Sequence, residues 1–378
     1  MDFKVLNWNI GGSKFLETNH REDRDKVRIQ LNTALRNLVE DPQLAYRPNV
    51  ISMQEIIQYK EPDGKGRDDK PNLDSIENLI VPPPGYRYYP FPLIDSDLLS
   101  SKAKWNKVKK DSDWHPNTYF AQGNAMLFRE DTPNFPIWDL SDVSQQMPAS
   151  KDKHFIEKVH LDSGLYFGDR NTEPRGALVA HLIYDPEIQA KETAPTAVKK
   201  PLDIFVVNLH LTTLMMEREG VPEIDLAATA IRKTQLDIVF KGIVSRYNSW
   251  RRNGYPERGK PRKEQAGETF DRHSPVWILA GDFNFTEESE EYEFIRKMNF
   301  VDTVLPDRKV TFWGKGTKAA GVENDPTLTL DYIFAGPKFI SLHPLIEEKG
   351  LGLNRVIHDH SVRASDHYPI VSTIPIIL

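Results

Sequence analysis

The chain has 378 residues, 39% of them hydrophobic and 28% charged, with a net charge of −6 and no cysteine. That length accommodates one large domain or two ordinary ones, and the acidic balance excludes a uniformly basic nucleic-acid coat while leaving room for a local basic face. The missing cysteines exclude disulfides, thiolate zinc sites and cysteine nucleophiles, so any metal or catalytic chemistry must use oxygen and nitrogen donors.

The first residues, MDFKVLNWNI, run straight into a strand pattern with no basic segment and apolar core of a secretory leader. No apolar run approaches the roughly 18 residues that a membrane span needs. A cytoplasmic protein with no membrane partner is the expectation, unless a signal has been trimmed. Residues 21–40 place Val27, Leu31, Ala34, Leu35 and Leu38 at helical spacing and predict an amphipathic helix. NVISMQEI, NAMLFR, GALVAHLIY and LDIFVVNLHL follow as strands, rich in Val, Ile, Leu and aromatics and bounded by Pro, Gly, Asp and Asn. Residues 223–250 predict a second helix, with Ile224, Ala227, Ile231, Ile238, Ile243, Tyr247 and Trp250 along one side and Pro222 at its start. PVWILAGDFN, DYIFAG and YPIVSTIPII complete the strands. The polar stretches 60–75, 96–118, 140–172 and 252–274 read as surface loops or insertions. Many short strands, few long helices and no regular alternation of the two predict packed sheets flanked by helices. One domain, 1–378, decorated with long insertions, is expected, since no linker separates two halves.

Polar residues recur where these apolar strands end. Asn9 closes the first, and Gln54 and Glu55 close ISMQE. Asn208 and His210 stand two apart on one face of VVNLHL, and Asp282 and Asn284 repeat that spacing in GDFN. Asp331 opens DYIF, and Ser365-Asp366-His367 precede the last strand. Each alone reads as a turn cap or a satisfied core residue. Six such sites at core strand ends imply something more, because buried carboxylates cost several kcal/mol without a compensating cation or partner. Oxygen donors without thiolates suit Mg²⁺ or Mn²⁺, which take few protein carboxylates and complete their shell with water and substrate phosphate. Histidines titrating near neutrality can move protons or donate to a phosphate. No Gly-rich phosphate loop with its Lys and Ser/Thr is present, which disfavours nucleotide-driven transfer of that type.

In order, NWNI, SMQE, VNLHL, GDFN, LDYIF and SDHYP resemble the endonuclease/exonuclease/phosphatase superfamily, with its deoxyribonuclease-I-like fold, over nearly the whole chain. The resemblance implies an α/β (α+β) four-layer sandwich, two packed mixed β-sheets flanked by helices, with the site at one end. It implies a phosphoesterase in which Glu55 is the main metal ligand, Asn9 lies beside it and Asp366 is a second or outer ligand. Asp282 and Asn284 match the pair that orients or deprotonates the attacking water and holds the phosphate. His367 matches the histidine at the scissile phosphate, and Asp331 the carboxylate that fixes its tautomer. His210 resembles the second histidine, an acid or phosphate donor, with Asn208 and Arg175 on the substrate side. Abasic-site endonucleases of the superfamily carry an Asp two residues after the first Asn. Here that position is Gly11, and VNLHL also points away from that branch.

For the substrate, residues 241–272 hold nine Lys or Arg against four Asp or Glu, with Tyr247, Trp250, Tyr255 and Phe270 interleaved. Residues 102–114 add five Lys against two Asp, with Trp105 and Trp114. Basic, aromatic loops can track a phosphate backbone and stack bases. The expectation is a Mg²⁺- or Mn²⁺-dependent hydrolase of phosphodiesters in nucleic acid. A phosphatase or phosphodiesterase acting on a small or lipid-derived phosphate is the alternative, and a catalytically dead binding module the remote one.

Overall fold

Strand β1 (Asp2–Asn9) buries both of its faces, and the rest of the molecule is arranged around that fact. Phe3 and Val5 point into one apolar cluster, Leu6 and Trp8 into another. A strand sandwiched in this way needs a second sheet on one side and a helix on the other. The computed structural model describes residues 2–12, 15, 21–60, 76–92, 106–107, 119–130, 156–161, 175–184, 202–212, 222–248, 275–304, 310–313, 327–336, 354–362 and 364–375.

The first sheet has eight strands in the order β15 (Arg355–Val356), β16 (Ile370–Pro375), β1, β2 (Val50–Lys60), β6 (Tyr119–Arg129) and β4 (Tyr86–Pro92). Here β3 (Ile76–Asn78) pairs with β2, and β5 (Asn106–Lys107) with β6. The second has six, in the order β11 (Val301–Asp302), β14 (Asp331–Gly336), β10 (Val276–Asp282), β9 (Leu202–His210), β8 (Gly176–Tyr184) and β7 (Ile156–His160). Both are mixed: β1–β2 and β9–β10 are parallel, and their other pairings antiparallel. A two-stranded ribbon, β12 (Phe312–Trp313) and β13 (Thr327–Leu328), stands apart.

Val5, Val50, Val206, Ile278 and Ile333 meet between the sheets. Helix α1 (Arg21–Glu40) covers the outer face of the first sheet, laying Leu31, Ala34, Leu35 and Leu38 on Leu6, Trp8, Ile51 and Met53. Helix α2 (Pro222–Asp237), the π-helical turn Ile238–Val244 and α3 (Glu290–Lys297) cover the second sheet. Leu236, Val239, Phe240, Ile243 and Tyr247 pack there on Phe205, Leu209, Trp277 and Leu279. The layers therefore run helix, sheet, sheet, helix: a four-layer sandwich, as the sequence pattern and the resemblance imply. Among the described residues no helix is long and apolar enough to cross a membrane.

The differences from the sequence reading are local. The second helix widens into a π turn, which periodicity at 3.6 does not register. Helix α3 was not expected, although Ser289 caps it by accepting from the Tyr292 amide at 3.1 Å and Glu290, Glu291 and Glu293 fill its first turn. Two stretches expected as loops contain strands, β5 and β7. The remainder of 96–118 and 140–172, together with 61–75 and 249–274, lies outside the described residues.

Candidate active site

Along each central strand the inward-facing positions change from apolar to polar at the same end of the sandwich. On β1 they read Phe3, Val5, Asn7, Asn9, and on β2 Val50, Ser52, Gln54. On β9 they read Ile204, Val206, Asn208, His210, and on β10 Val276, Ile278, Ala280, Asp282. Strand β14 runs the other way and begins on Asp331 before Ile333 and Ala335. Register aligns the ends: His210 lies opposite Asp282, Asp282 opposite Asp331, and Asn9 opposite Gln54.

The titratable groups of this layer are in contact. His367 Nδ1 and Asp331 Oδ2 share a hydrogen bond of 2.8 Å, which leaves Nε2 turned toward Asp282 Oδ2 at 3.8 Å. His210 Nε2 approaches the same oxygen at 3.7 Å. Asn9 Nδ2 donates to Asp282 Oδ2 at 2.8 Å and reaches Glu55 Oε1 at 3.3 Å. Asp282, Asp331, His210 and His367 are all buried. Burial, and then the negative charge of Asp331, push the Asp282 carboxyl up to about 7, against the pull of His367 and the Asn9 hydrogen bond. Burial alone would lower the His367 imidazolium. The charge and hydrogen bond of Asp331, with Asp282 and Asp366, outweigh it and hold the group up at about 10.

Backbone devices fix these groups. A β-bulge in β2 between Met53 and Ile56 gives Glu55 a positive φ of 56° and takes its half-buried side chain out of the strand's alternation. Asn284 lies beyond the end of β10 with φ 53°, so it does not share a strand face with Asp282 as its spacing predicts. Its amide N–H instead donates to Asp282 Oδ1 at 3.0 Å, and its Nδ2 to the Leu211 carbonyl at 3.0 Å. Gly11 sits at φ +59°, where a Cβ would stand 2.7 Å from Asp366 Oδ1 and 3.0 Å from Ser365 Oγ. The side-chain space at the position noted as Asp in abasic-site endonucleases is thus taken here by Asp366. Ser365 Oγ donates to the Asn9 carbonyl at 2.9 Å, and the Trp8 indole donates to the His367 carbonyl at 3.1 Å.

Asn208 behaves differently from its neighbours. Its Nδ2 donates to the Met53 and Ala125 carbonyls at 2.9 and 2.7 Å, and its Oδ1 accepts from Gln54 Nε2 at 2.8 Å. Gln54 Nε2 also reaches Asn7 Oδ1 at 2.9 Å. Asn208 therefore ties the sheets together and has no donor left for a ligand in this arrangement. Arg175 Nη1 lies 2.9 Å from His210 Nδ1, against the ring edge.

Several residues that serve the site carry no signal in the sequence. Thr311 Oγ1 accepts from the Leu330 and Asp331 amides at 2.9 and 3.1 Å, and the Phe312 ring lies 4.9 Å from that of His367. Neither occupies a recognisable strand end; the isolated bridge between Phe312 and His367 brings them in. Asn7 was likewise not singled out, although it alternates with Asn9 on the inward face of β1. The basic stretch 241–272 is corrected where it is described. Tyr247 is fully buried and donates to Glu157, so it is not placed to stack on a base, while Arg246 binds that carboxylate at 2.7 Å and stays partly exposed.

Donor chemistry favours a cation here. Glu55, Asp282, Asp331 and Asp366 supply oxygen donors with no sulfur ligand among them, and Asp282 is pushed up by burial and then by the neighbouring carboxylates. Ligand atoms of Asp282, Asp331 and His367 lie within 4.8 Å of one another and could hold an ion. Using all three would compete with the 2.8 Å bond between His367 and Asp331. Glu55, with Asn9 at its side, offers an oxygen edge that leaves that bond intact.

The sequence model described as "Endonuclease/Exonuclease/phosphatase family" matches residues 6–367. No curated protein matches the chain. Similar solved structures include an endonuclease/exonuclease/phosphatase family protein from Leptotrichia buccalis, at 14% identity over 99% of this chain and 100% of that one, TM-score 0.47. The human nocturnin catalytic domain with bound sulfate is 17% identical over 98% of this chain and 93% of that one, TM-score 0.42. A mannosyl-6-phosphatase from Bacteroides thetaiotaomicron is 15% identical over 98% and 99%, TM-score 0.44.

Proposed function

The chain belongs to the endonuclease/exonuclease/phosphatase family, and from that premise we propose that it hydrolyses phosphodiester bonds, in nucleic acid by preference, with water as the nucleophile. The observation that carries this is the row His210, Asp282, Asp331, closed from the other sheet by His367. Asp282, held up to about 7, accepts the proton of the attacking water, which Asn284 helps to orient. The water oxygen bonds to phosphorus as the bond to the leaving oxygen breaks. His367, kept cationic by Asp331, donates from Nε2 to a phosphoryl oxygen as charge builds there. His210 passes a proton to the leaving oxygen, and Arg175 beside it steadies the phosphate. Asn208 acts indirectly, by holding Gln54 and the strand that carries His210. Asn9, Glu55 and Asp366 would hold Mg²⁺ or Mn²⁺. When bound, such an ion polarises a phosphoryl oxygen and neutralises transition-state charge.

The test is turnover in ¹⁸O-labelled water, with Mg²⁺ or Mn²⁺, of bis(p-nitrophenyl) phosphate, phosphate monoesters and a labelled oligonucleotide. Expected is one ¹⁸O in the phosphate-bearing product and loss of turnover in excess chelator. Release of unlabelled phosphate product, or full turnover in chelator, would overturn the mechanism. Cleavage of monoesters alone would move the substrate to a small phosphate.

A further inference from the structure

The row that ends at His210 continues beyond it. Gly176 precedes Ala177, the partner of Leu209, and so stands beside His210; on its other side it pairs with His160 of β7. Residues in register share a face, so His160 and, two residues earlier, Lys158 look toward the cleft between the sheets. Their contacts agree. The His160 ring meets Phe91, from the inner face of the first sheet, at 5.6 Å and 74°, and Lys158 Nζ lies 5.5 Å above the same ring. Val159 and Leu161 face the opposite way, into the outer core. Lys158 and His160 are both exposed, and Gly176 places no side chain between His160 and His210. Two interstrand spacings, about 10 Å, separate the two histidines.

Charge is divided along this line. Lys158, His160, Arg175 and His210 lie to one side, whereas Asp331, Asp366 and Glu55 gather around Asp282 and His367. A polyanion whose scissile phosphate sits over His210 and His367 is repelled in one direction and attracted in the other. We propose that Lys158 and His160 form a subsite for a second phosphate of an extended phosphodiester substrate, which crosses Gly176 toward the β7 edge. This rests on the nucleic-acid preference proposed above and gives that substrate a direction. Lys158 supplies the charge, and the His160 imidazole an N–H donor; Phe91 beneath them fixes both side chains. Neither touches the reacting atoms, so the subsite acts on binding and leaves the chemical step alone.

The test compares the unaltered protein with the double variant Lys158→Ala/His160→Ala on a single-stranded ten-nucleotide oligomer and on bis(p-nitrophenyl) phosphate, which has one phosphate. Both positions are exposed on an edge strand, and a thermal melt of the variant checks its fold. Expected is a KM for the oligomer raised about tenfold with kcat unchanged, a salt dependence of binding flatter by about one charge, and unaltered kinetics on the one-phosphate diester. Equal KM values for the oligomer in the two proteins would overturn the subsite while leaving the nuclease reading intact. Hydrolysis of the small diester with no cleavage of the oligomer by the unaltered protein would overturn the nucleic-acid preference, and the subsite with it.

Discussion

Two polar patches adjoin each other between the sheets, and they are built from opposite materials. Asn7, Ser52, Gln54 and Asn208 form a patch of neutral groups that bond mainly to one another and to backbone carbonyls. One residue pair further along, His210, Asp282, Asp331 and His367 form a patch of titratable groups whose charges do not cancel. Neutral amides bonded to one another stabilise and cross-link, since breaking one strands its buried partners, although Asn7 Nδ2 and Gln54 Oε1 themselves have no partner in the patch. Carboxylates crowded out of water are costly, and are tolerated where a cation or substrate compensates. The first patch is thus a platform, and the second is the reaction centre we propose.

Substitutions should separate the two. The largest effect on turnover is expected from His367→Ala, a loss of about 10²–10⁴-fold in kcat, accompanied by a lower urea midpoint because Asp331 is left buried without its partner. A titration of both quantities checks it, and a loss of stability in place of rate would merge the patches. Gln54→Leu should act mainly on stability. It removes the shared donor of Asn7 and Asn208, and should cost about 2–4 kcal/mol in urea unfolding.

Protonation provides a subtler contrast. Asp282 is held up at about 7, so the folded protein keeps a proton that the unfolded chain has released. Its contribution to stability is complete below the ordinary carboxylate range and is lost as pH rises through 7. That of His367 is complete below the ordinary imidazole range and lost as pH rises toward 10. In excess chelator, melting temperature should therefore fall with rising pH across both windows, and Asp282→Asn should flatten mainly the lower one, while also weakening the upper because Asp282 helps hold the His367 imidazolium up. A melting curve that Asp282→Asn leaves unchanged would mean that the carboxyl is not strained by its neighbours. Smallest is the expected effect of Glu55→Gln on stability, within about 1 kcal/mol, because this side chain is half exposed and serves charge more than packing. Its signature is weaker Mn²⁺ binding by isothermal titration.

Much of this was legible in the sequence, because alternation within a strand is a local property. The inward series Phe3, Val5, Asn7, Asn9 and Ile204, Val206, Asn208, His210 announce both the core and the point where it turns polar. Local alternation fails where the backbone departs from extended geometry. The bulge at Glu55 and the left-handed Asn284 redirect side chains in ways that spacing does not encode. It also cannot distinguish an amide with free donors from one that is saturated. Asn208 shares a face with His210, yet its bonds all go to the opposite sheet. Contacts between distant segments, such as Thr311 with the Asp331 amide or Phe312 with His367, exist only in three dimensions.

The pairing of Asp331 with His367 is where the reaction centre is most exposed to refutation. A double-mutant cycle on diester hydrolysis, using Asp331→Asn, His367→Ala and both together, measures it directly. If the 2.8 Å bond makes them one unit, Asp331→Asn loses much of the His367→Ala factor and the double variant little more than the worse single one. Losses that multiply independently, or an Asp331→Asn variant at full rate, would contradict it.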